Sequence, residues 1–262
     1  MTRIIAITNQ KGGVGKTTTT LNLGAGLMER GRSVLLVDLD PQASLTLALL
    51  GQPDSLVADE WPNTIYSALV KASQAEDHPL DGSIQETPSG LRLVPASIEL
   101  SAAEMDLVRE PLGVFALRDC LNTLPEAYDY ILVDCPPTLG ILTTNALAAA
   151  HEVLIPLQAD YLALRGVDLL LNTIGKMQKR ANPRLKTLGL LLTLADLRTL
   201  HAREVVAAAR AAFGERIPIL DVIVPYSVRL KEAPLANATI LEYAKDTPAA
   251  EAYRTLAAIV DR

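Results

Sequence analysis

A glycine-rich segment near the start of the chain constrains the fold more than any other feature. Residues 9–18 read NQKGGVGKTT, between an apolar run at Arg3–Thr8 and a segment with helical periodicity at 16–30. An apolar strand, a glycine-rich turn and a helix in this order form a phosphate-binding loop. Glycines let backbone N–H groups approach phosphate oxygens, and the helix N-terminus adds partial positive charge. The sequence therefore predicts a nucleotide-binding α/β protein.

Short apolar runs alternate with helical patterns along the rest of the chain. This alternation is typical of βαβ units, in which helices cover both faces of a mostly parallel sheet. We expect about seven or eight strands, including Arg3–Thr8, Ser33–Asp38, Leu91–Pro95, Tyr130–Asp134, Val153–Leu157, Thr187–Leu194 and Pro218–Val224. Helices are expected near Lys16–Arg30, Glu99–Val108, Leu112–Leu124, Ile141–Ala149, Arg165–Arg180, Arg203–Phe213 and from Ala249 onward. Residues 71–90 are expected to form a surface excursion.

Composition is that of an ordinary globular protein. Hydrophobic residues make up 49% of the 262 residues and charged residues 21%, which is enough apolar surface for a core. We expect one domain over residues 1–262. No apolar run could span a bilayer, and the first one is too short for a signal peptide, so we expect a cytoplasmic protein with no membrane partner. Cys120 and Cys135 lack metal-ligand or redox spacing, and we expect both to be core residues.

Five residues of the loop have expected roles in binding a nucleotide. Lys16 would lie between the β- and γ-phosphates, and the Thr17 hydroxyl would take one position on Mg²⁺. Gly12, Gly13 and Gly15 would line the phosphate cradle with backbone N–H groups.

Acidic residues follow two of the expected strands. Asp38 and Asp40 stand at the end of VLLVDLDPQ, and Asp134 ends the run YILVD before Cys-Pro-Pro. Carboxyl ends of parallel strands line the crevice where ligands bind in open α/β sheets, and a strand-end acid of this kind lies near the metal. These residues predict Mg²⁺-dependent hydrolysis of a nucleoside triphosphate. For Asp38, a structural role in bonding the adjacent loop is the alternative.

The loop departs from the general pattern G-x-x-x-x-G-K-[ST], because Gln10 stands where the first glycine belongs. With Lys11, it reads K-G-G-x-G-K-T-T and resembles the deviant Walker A family that includes ParA, Soj, MinD and the nitrogenase iron protein. The resemblance implies that ATP is bound by Lys11, Gly12, Gly13, Val14, Gly15, Lys16, Thr17 and Thr18.

The same resemblance implies an ATP-dependent homodimer and weak intrinsic turnover. Lys11 would reach across a nucleotide-sandwich dimer to the phosphates bound by the partner subunit. It would supply a cation in trans, in the same way as an arginine finger. Asp40 would orient the attacking water. Thr17, Asp38 and Asp134 would hold the Mg²⁺ shell.

Beyond the loop, the chain resembles the ParA/Soj partition ATPases over nearly its whole length. The strings LVPA at 93–96, DCPP at 134–137, IPLQ at 155–158 and VRL at 228–230 follow that family in order and spacing, and residues 52–90 resemble it least. MinD-like anchoring is disfavoured because residues 248–262 carry two bases and two acids with one aromatic residue. The chain begins at the loop strand, so we expect the short form without a helix-turn-helix domain.

The resemblance to ParA proteins of the short form implies non-specific binding to double-stranded DNA and a ParB-like partner that stimulates ATP hydrolysis. Arg198 and Arg229 match DNA-contacting arginines of the family, and Pro225 is a candidate nucleotide contact. Tyr226 stands where the family often has another arginine. The alternative for each arginine is a surface salt bridge.

Residues 176–216 carry nine Lys/Arg against three acids, although the whole chain has a net charge of −6. This asymmetry favours a polyanion partner, and solvated helix faces are the alternative. A rival function is a ParA-like switch that positions a protein assembly. A metabolic phosphotransferase is disfavoured because no acceptor-site motif is found.

Overall fold

The computed structural model describes residues 2–51, 63–124, 128–159, 161–196 and 198–262, and an eight-stranded sheet runs through them. Its strands are β1 Arg3–Ile7, β2 Val34–Asp38, β3 Gln85–Glu86, β4 Arg92–Val94, β5 Tyr130–Asp134, β6 Glu152–Gln158, β7 Lys186–Ala195 and β8 Ile219–Pro225. They are arranged in the order β3-β4-β2-β5-β1-β6-β7-β8. Every neighbouring pair is parallel except β3 with β4. The expected mostly parallel sheet is confirmed.

Helices cover both faces of this sheet. They are α1 Lys16–Glu29, α2 Ser44–Leu50, α3 Ile65–Ser73, α4 Leu100–Arg109, α5 Ala116–Asn122, α6 Ile141–Ala149, α7 Tyr161–Arg180, α8 Leu200–Phe213, α9 Arg229–Glu232, α10 Ile240–Tyr243 and α11 Pro248–Val260. Short 3₁₀ helices lie at Gly113–Phe115 and Ala233–Ala236. Among the described residues, none of these helices has the length and apolarity needed to cross a membrane.

Alternate residues of each central strand pack into two separate apolar layers. In β1, Ile4 and Ala6 pack with α3–α7, whereas Ile5 and Ile7 pack with α1, α2, α10 and α11. This division follows from the two-residue period of strand side chains. Because both faces are covered, the strands read as continuous apolar runs rather than as alternating ones.

The helix that follows the glycine-rich loop is tightly packed against the last helix. A Cβ atom at Gly26 in α1 would lie 2.9 Å from the Cβ of Ala257 and 3.2 Å from the carbonyl oxygen of Tyr253 in α11. Helix α1 ends at Glu29, and two residues later Gly31 has a φ angle of 78°. The N–H of Arg32 donates a hydrogen bond to the carbonyl oxygen of Leu27, and the N–H of Gly31 donates one to that of Met28. These two hydrogen bonds are the Schellman motif of a helix that is followed by glycine.

Several elements differ from the expectations. Residues 71–90 are not only a surface excursion, because Gln85–Glu86 joins the sheet as an antiparallel edge strand, too short to show a period in the sequence. Helices α2, α3, α9 and α10 were not predicted. Helix α7 begins four residues before the expected Arg165. The expected helix at 112–124 starts as a 3₁₀ turn, where a Cβ atom on Gly113 would lie 2.0 Å from the carbonyl oxygen of Leu107.

Candidate active site

The loop between β1 and α1 has the conformation that its glycine pattern predicts. Gly13 and Gly15 have φ angles of 73° and 86°, in the left-handed region that favours glycine. Helix α1 begins at the next residue, Lys16, so its first-turn N–H groups lack intrahelical acceptors and face the loop. A Cβ atom at Gly12 or Gly13 would meet no atom within 4 Å. The cradle is therefore open where phosphates would enter.

Two buried polar side chains that the sequence reasoning missed hold the loop in place. Asn9 donates from Nδ2 to the carbonyl oxygen of Pro156 at 2.8 Å, and its Oδ1 accepts from the N–H of Lys11 at 3.0 Å. Thr193 in β7 donates from Oγ1 to the carbonyl oxygen of Val14 at 2.8 Å. The signal that could have identified Thr193 is a single hydroxyl within the apolar run LLLTLA.

Lys16 is buried, and its ammonium lies inside the loop. Its Nζ donates to the carbonyl oxygen of Lys11 at 3.2 Å. Burial lowers the pKa of Lys16, while the negative charges of Asp134 and Asp40 oppose that change. The Lys16 ammonium therefore interacts electrostatically with the carboxylates of Asp134 and Asp40.

Asp134 at the end of β5 is the acid that contacts the loop helix directly. Thr17 donates to its Oδ2 at 2.6 Å, and Thr20 donates to its Oδ1 at 3.3 Å. Burial and the charge of the neighbouring Asp38 raise the pKa of Asp134 well above its usual range, opposed by the Thr17 hydrogen bond and the charge of Lys16. A cation beside this carboxylate would relieve the cost of burying its charge.

The donor set fits a Mg²⁺ ion that is shared with nucleotide phosphates. Thr17 Oγ1 and an Asp134 oxygen lie side by side, and Mg²⁺ is usually held by one or two protein oxygens together with phosphates and waters. Over the described ranges, no group of three or more His, Cys, Asp or Glu side chains could hold an ion. The described residues thus fit a phosphate-dependent metal site and not an all-protein one.

Asp38 is fully buried and lies level with Asp134, its partner across the β2–β5 pairing. Its Oδ2 accepts from the N–H of Thr46 at 2.9 Å and from the Thr46 hydroxyl at 2.7 Å, and its Oδ1 accepts from the N–H of Asp40 at 3.2 Å. Burial raises the pKa of Asp38 to about 6, and the Thr46 bonds oppose this. These hydrogen bonds agree with the alternative for Asp38, a structural role in bonding the adjacent segment. Its role in the Mg²⁺ shell stays a prediction.

Asp40 lies at the edge of the same cluster with 9% of its surface exposed. One carboxylate oxygen, Oδ1, accepts from the N–H of Gln42 at 3.0 Å. Within the described part of the chain, no hydrogen bond reaches its Oδ2. A carboxylate that is fixed through one oxygen has the geometry to orient a water molecule with the other.

Comparison with known proteins identifies the family to which this site belongs. A family model described as an AAA domain matches residues 2–187. The chromosome partitioning protein ParA from Myxococcus xanthus is 44% identical over 255 residues, which cover 97% of this chain and 86% of that protein. This chain belongs to the ParA/Soj family of ATPases. The chromosome-partitioning ATPase Soj from Thermus thermophilus is also 44% identical, over 97% of this chain and 94% of that protein.

Solved structures extend this comparison to the ligands. The structure of cobyrinic acid a,c-diamide synthase from Mycobacterium smegmatis with ADP and magnesium is 39% identical, with a TM-score of 0.85, and the match covers 100% of this chain and 95% of that one. A second structure of that protein contains an ATP analog and magnesium. With its loop and strand-end acids, this ParA/Soj-family chain is a Mg²⁺-dependent ATPase whose cofactors are ATP and Mg²⁺.

The two arginines predicted to contact DNA, Arg198 and Arg229, follow the neighbouring strands β7 and β8 at the edge of the sheet that carries the glycine-rich loop. Ala195 of β7 pairs with Pro225 of β8, and the N–H of Tyr226 donates to the carbonyl oxygen of Ala195 at 3.3 Å. The Arg198 side chain is 90% exposed and forms two bonds of 2.8 Å with Asp196. The more sheltered guanidinium of Arg229 bonds to Glu232 at 2.8 Å. Exposed pairs of this kind contribute little to stability, so phosphates could replace either acid.

The basic segment of the ParA/Soj chain does not surround Arg198 in space. Ten-residue strand β7 runs through it and separates Lys186 from the segment that carries Arg198 by about 30 Å. Residues 176–186 hold five of the nine cations and no acid, and they lie at or before the start of β7. Residues 196–216 hold four cations and three acids. The excess positive charge therefore does not gather around Arg198, because most of it lies at the opposite edge of the sheet.

Proposed function

We propose that the chain is a DNA-partition ATPase whose ATP-bound sandwich dimer binds double-stranded DNA without sequence preference. A ParB-like partner would stimulate hydrolysis and release the dimer from the nucleoid. The proposal includes one ATPase domain over residues 1–262, a cytoplasmic location and nucleoid association in the ATP state. The observation that carries it is 44% identity to ParA and Soj partition proteins over 97% of the chain.

The layout of the site supports a coupling between nucleotide and DNA. The glycine-rich loop, Asp40 and Asp134 lie at the carboxyl ends of their strands, and Arg198 and Arg229 follow the ends of β7 and β8 at the same edge. Thr193 in β7 also holds the loop through Val14. A change in the loop can therefore reach the segment before Arg198 through one strand end. Such a switch depends on different contacts of the γ-phosphate in the two states.

Individual residues have these proposed roles. Lys16, with the loop from Gly12 to Thr18, holds the phosphates, and Lys11 acts on the partner subunit's nucleotide. Asp40 orients the attacking water in Mg²⁺-dependent hydrolysis. Pro225, which ends β8 at the same edge of the sheet as the glycine-rich loop, is the proposed nucleotide contact outside that loop.

DNA co-sedimentation with ATP, ADP or no nucleotide tests this function. We expect binding with ATP alone, reversed by a candidate ParB-like protein, and weaker binding of Arg198→Glu to all sequences alike. Arg118→Glu is the matched control, because Arg118 is also an exposed, ion-paired arginine but lies in α5. DNA binding that is independent of nucleotide, or absent throughout, would contradict the proposal.

ATP turnover distinguishes this function from two others. The structures of cobyrinic acid a,c-diamide synthase make cobyrinic acid a necessary control substrate. We expect DNA and the partner to raise ATP turnover and cobyrinic acid to leave it unchanged. A switch that positions a protein assembly would bind DNA in the same assay but would not respond to a ParB-like partner.

A further inference from the structure

The edge of the sheet opposite the glycine-rich loop contains a cationic cavity. It has a volume of about 700 Å³ and lies where β1, β6 and β7 begin. Five residues of β1, about 16 Å of extended chain, separate this edge from the loop. The charged side chains that line the cavity are Arg3, Glu152, Arg184, Lys186 and Arg262. Four cationic side chains therefore face one side-chain carboxylate.

That carboxylate is already engaged by one of the cations. Arg3 donates from Nε and Nη2 to Glu152 Oε2 at 3.0 and 2.7 Å. The exposed side chains of Arg184 and Lys186, in contrast, have no hydrogen bond or ion pair within the parts of the chain that the structure describes. Uncompensated like charges around a concavity repel one another and attract an anion.

A helix terminus does not explain these two cations. Lys179 and Arg180 end α7, where positive side chains complement the partial negative charge of a helix C-terminus. Arg184 follows the helix in the turn, and Lys186 begins β7, so neither has this role. Their placement on the cavity wall calls for another explanation.

His151 adds a neutral hydrogen-bond donor to the same wall. Its Nδ1 accepts from the N–H of Ile4 at 3.0 Å, so the proton of the neutral ring is on Nε2. Burial lowers the pKa of His151, which keeps the ring neutral near pH 7. The cavity thus combines unpaired cations with an uncharged N–H donor.

We propose that this cavity binds phosphate groups, from either a DNA backbone or a free polyphosphate. Arginine binds phosphate through two parallel hydrogen bonds and lysine through its point charge. Cations spread over several elements of one cavity match a multiply charged ligand better than a single carboxylate. The volume is within the range of small-molecule sites. The DNA source rests on the proposed function, whereas the polyphosphate source does not.

The test compares two double variants with the same change in net charge. Arg184→Glu with Lys186→Glu alters the cavity, and Lys71→Glu with Arg109→Glu alters two cations on α3 and α4 instead. The first assay measures binding of a short DNA duplex in ATP and Mg²⁺ at a series of salt concentrations. The second measures binding of tripolyphosphate by calorimetry with the loop saturated by ADP and Mg²⁺.

If DNA is the source, the slope of log K for DNA binding against log salt concentration becomes shallower by about 1.8 in the cavity variant, because each of two lost phosphate contacts changes it by about 0.9. In the control variant, the slope stays unchanged. If free polyphosphate is the source, tripolyphosphate affinity falls at least about tenfold in the cavity variant alone, a loss of about 1.4 kcal/mol. Equal behaviour of the two variants in both assays would overturn the proposal. Should the native chain bind no DNA, the proposed function fails while the calorimetry still tests the cavity. Arg184→Gln with Lys186→Gln provides the same test if charge reversal prevents folding.

Discussion

The Thr46 hydroxyl joins two buried groups, and its removal should be costly. It donates to Asp38 Oδ2 at 2.7 Å and accepts from the N–H of Ala96 at 2.9 Å. Thr46→Val keeps the side-chain shape but loses both bonds. A bond to a charged group contributes about 1.5–3 kcal/mol, and a buried N–H without an acceptor costs about 1–3 kcal/mol. We therefore expect the free energy of unfolding to fall by about 4 kcal/mol near pH 7.5.

The cost should depend on pH because the hydroxyl stabilises the ionised form of Asp38. With a pKa of about 6, this carboxyl is ionised near pH 7.5 and mostly protonated near pH 5. Loss of the hydroxyl raises the folded-state pKa further, so its cost is present above that pKa and decreases as the pH falls through it. Near pH 5, we expect about 2 kcal/mol to remain, from the N–H of Ala96.

Urea unfolding of the nucleotide-free chain, followed by circular dichroism at both pH values, measures this difference. Thr46→Ser is the control, because it keeps the hydroxyl and loses only a methyl group. The reasoning is refuted if the two variants differ by less than about 1 kcal/mol at both pH values, or if the defect grows towards acid.

Four other changes test separate parts of the site and fold. Lys11→Ala should leave nucleotide binding by the monomer largely intact but abolish the ATP-dependent dimer in light scattering, and a normal dimer would exclude action in trans. Asp40→Ala should bind ATP and DNA yet hydrolyse ATP at least about a hundredfold more slowly in a phosphate-release assay; undiminished turnover would exclude a water-orienting role. Gly26→Ala should lower the free energy of unfolding by about 1–3 kcal/mol, because its Cβ would lie 2.9 Å from Ala257. Gly175→Ala, which meets no atom within 4 Å, should raise it by about 0.5–1 kcal/mol, and equal values in a denaturation series would refute the packing argument.

The sequence predicted the elements whose signals are local. All seven expected strands are present in the sheet, and the glycine-rich turn and α1 follow from side-chain period and backbone preference. The edge strand Gln85–Glu86 could not be predicted, since two residues have no period and pair only because β4 lies beside them. Helix α2 was missed because it begins after Ala43, a non-glycine residue with φ 51°, and has no capping side chain.

The candidate site was predicted in its composition but not in its supports. Lys16, Asp40 and Asp134 stand in recognisable strings, and the structure brings them to one edge of the sheet. Asn9 and Thr193 hold that arrangement through bonds between residues far apart in the chain, and Thr46 links Asp38 to the distant Ala96. No local pattern records such contacts. The excess of Lys and Arg in residues 176–216 was visible in the sequence. Which of these residues lie at which edge of the sheet depends on the tertiary structure.

The close contact between α1 and α11 has a consequence for protein synthesis. The glycine-rich loop and α1 are translated before α11, and one apolar side of α1 has no cover until residues 248–260 have been translated. Until then Leu21, Leu23 and Leu27 lack part of their packing, and the nascent chain exposes apolar surface during most of its elongation. The packing of the helix that follows the glycine-rich loop is thus complete only after α11 has been translated.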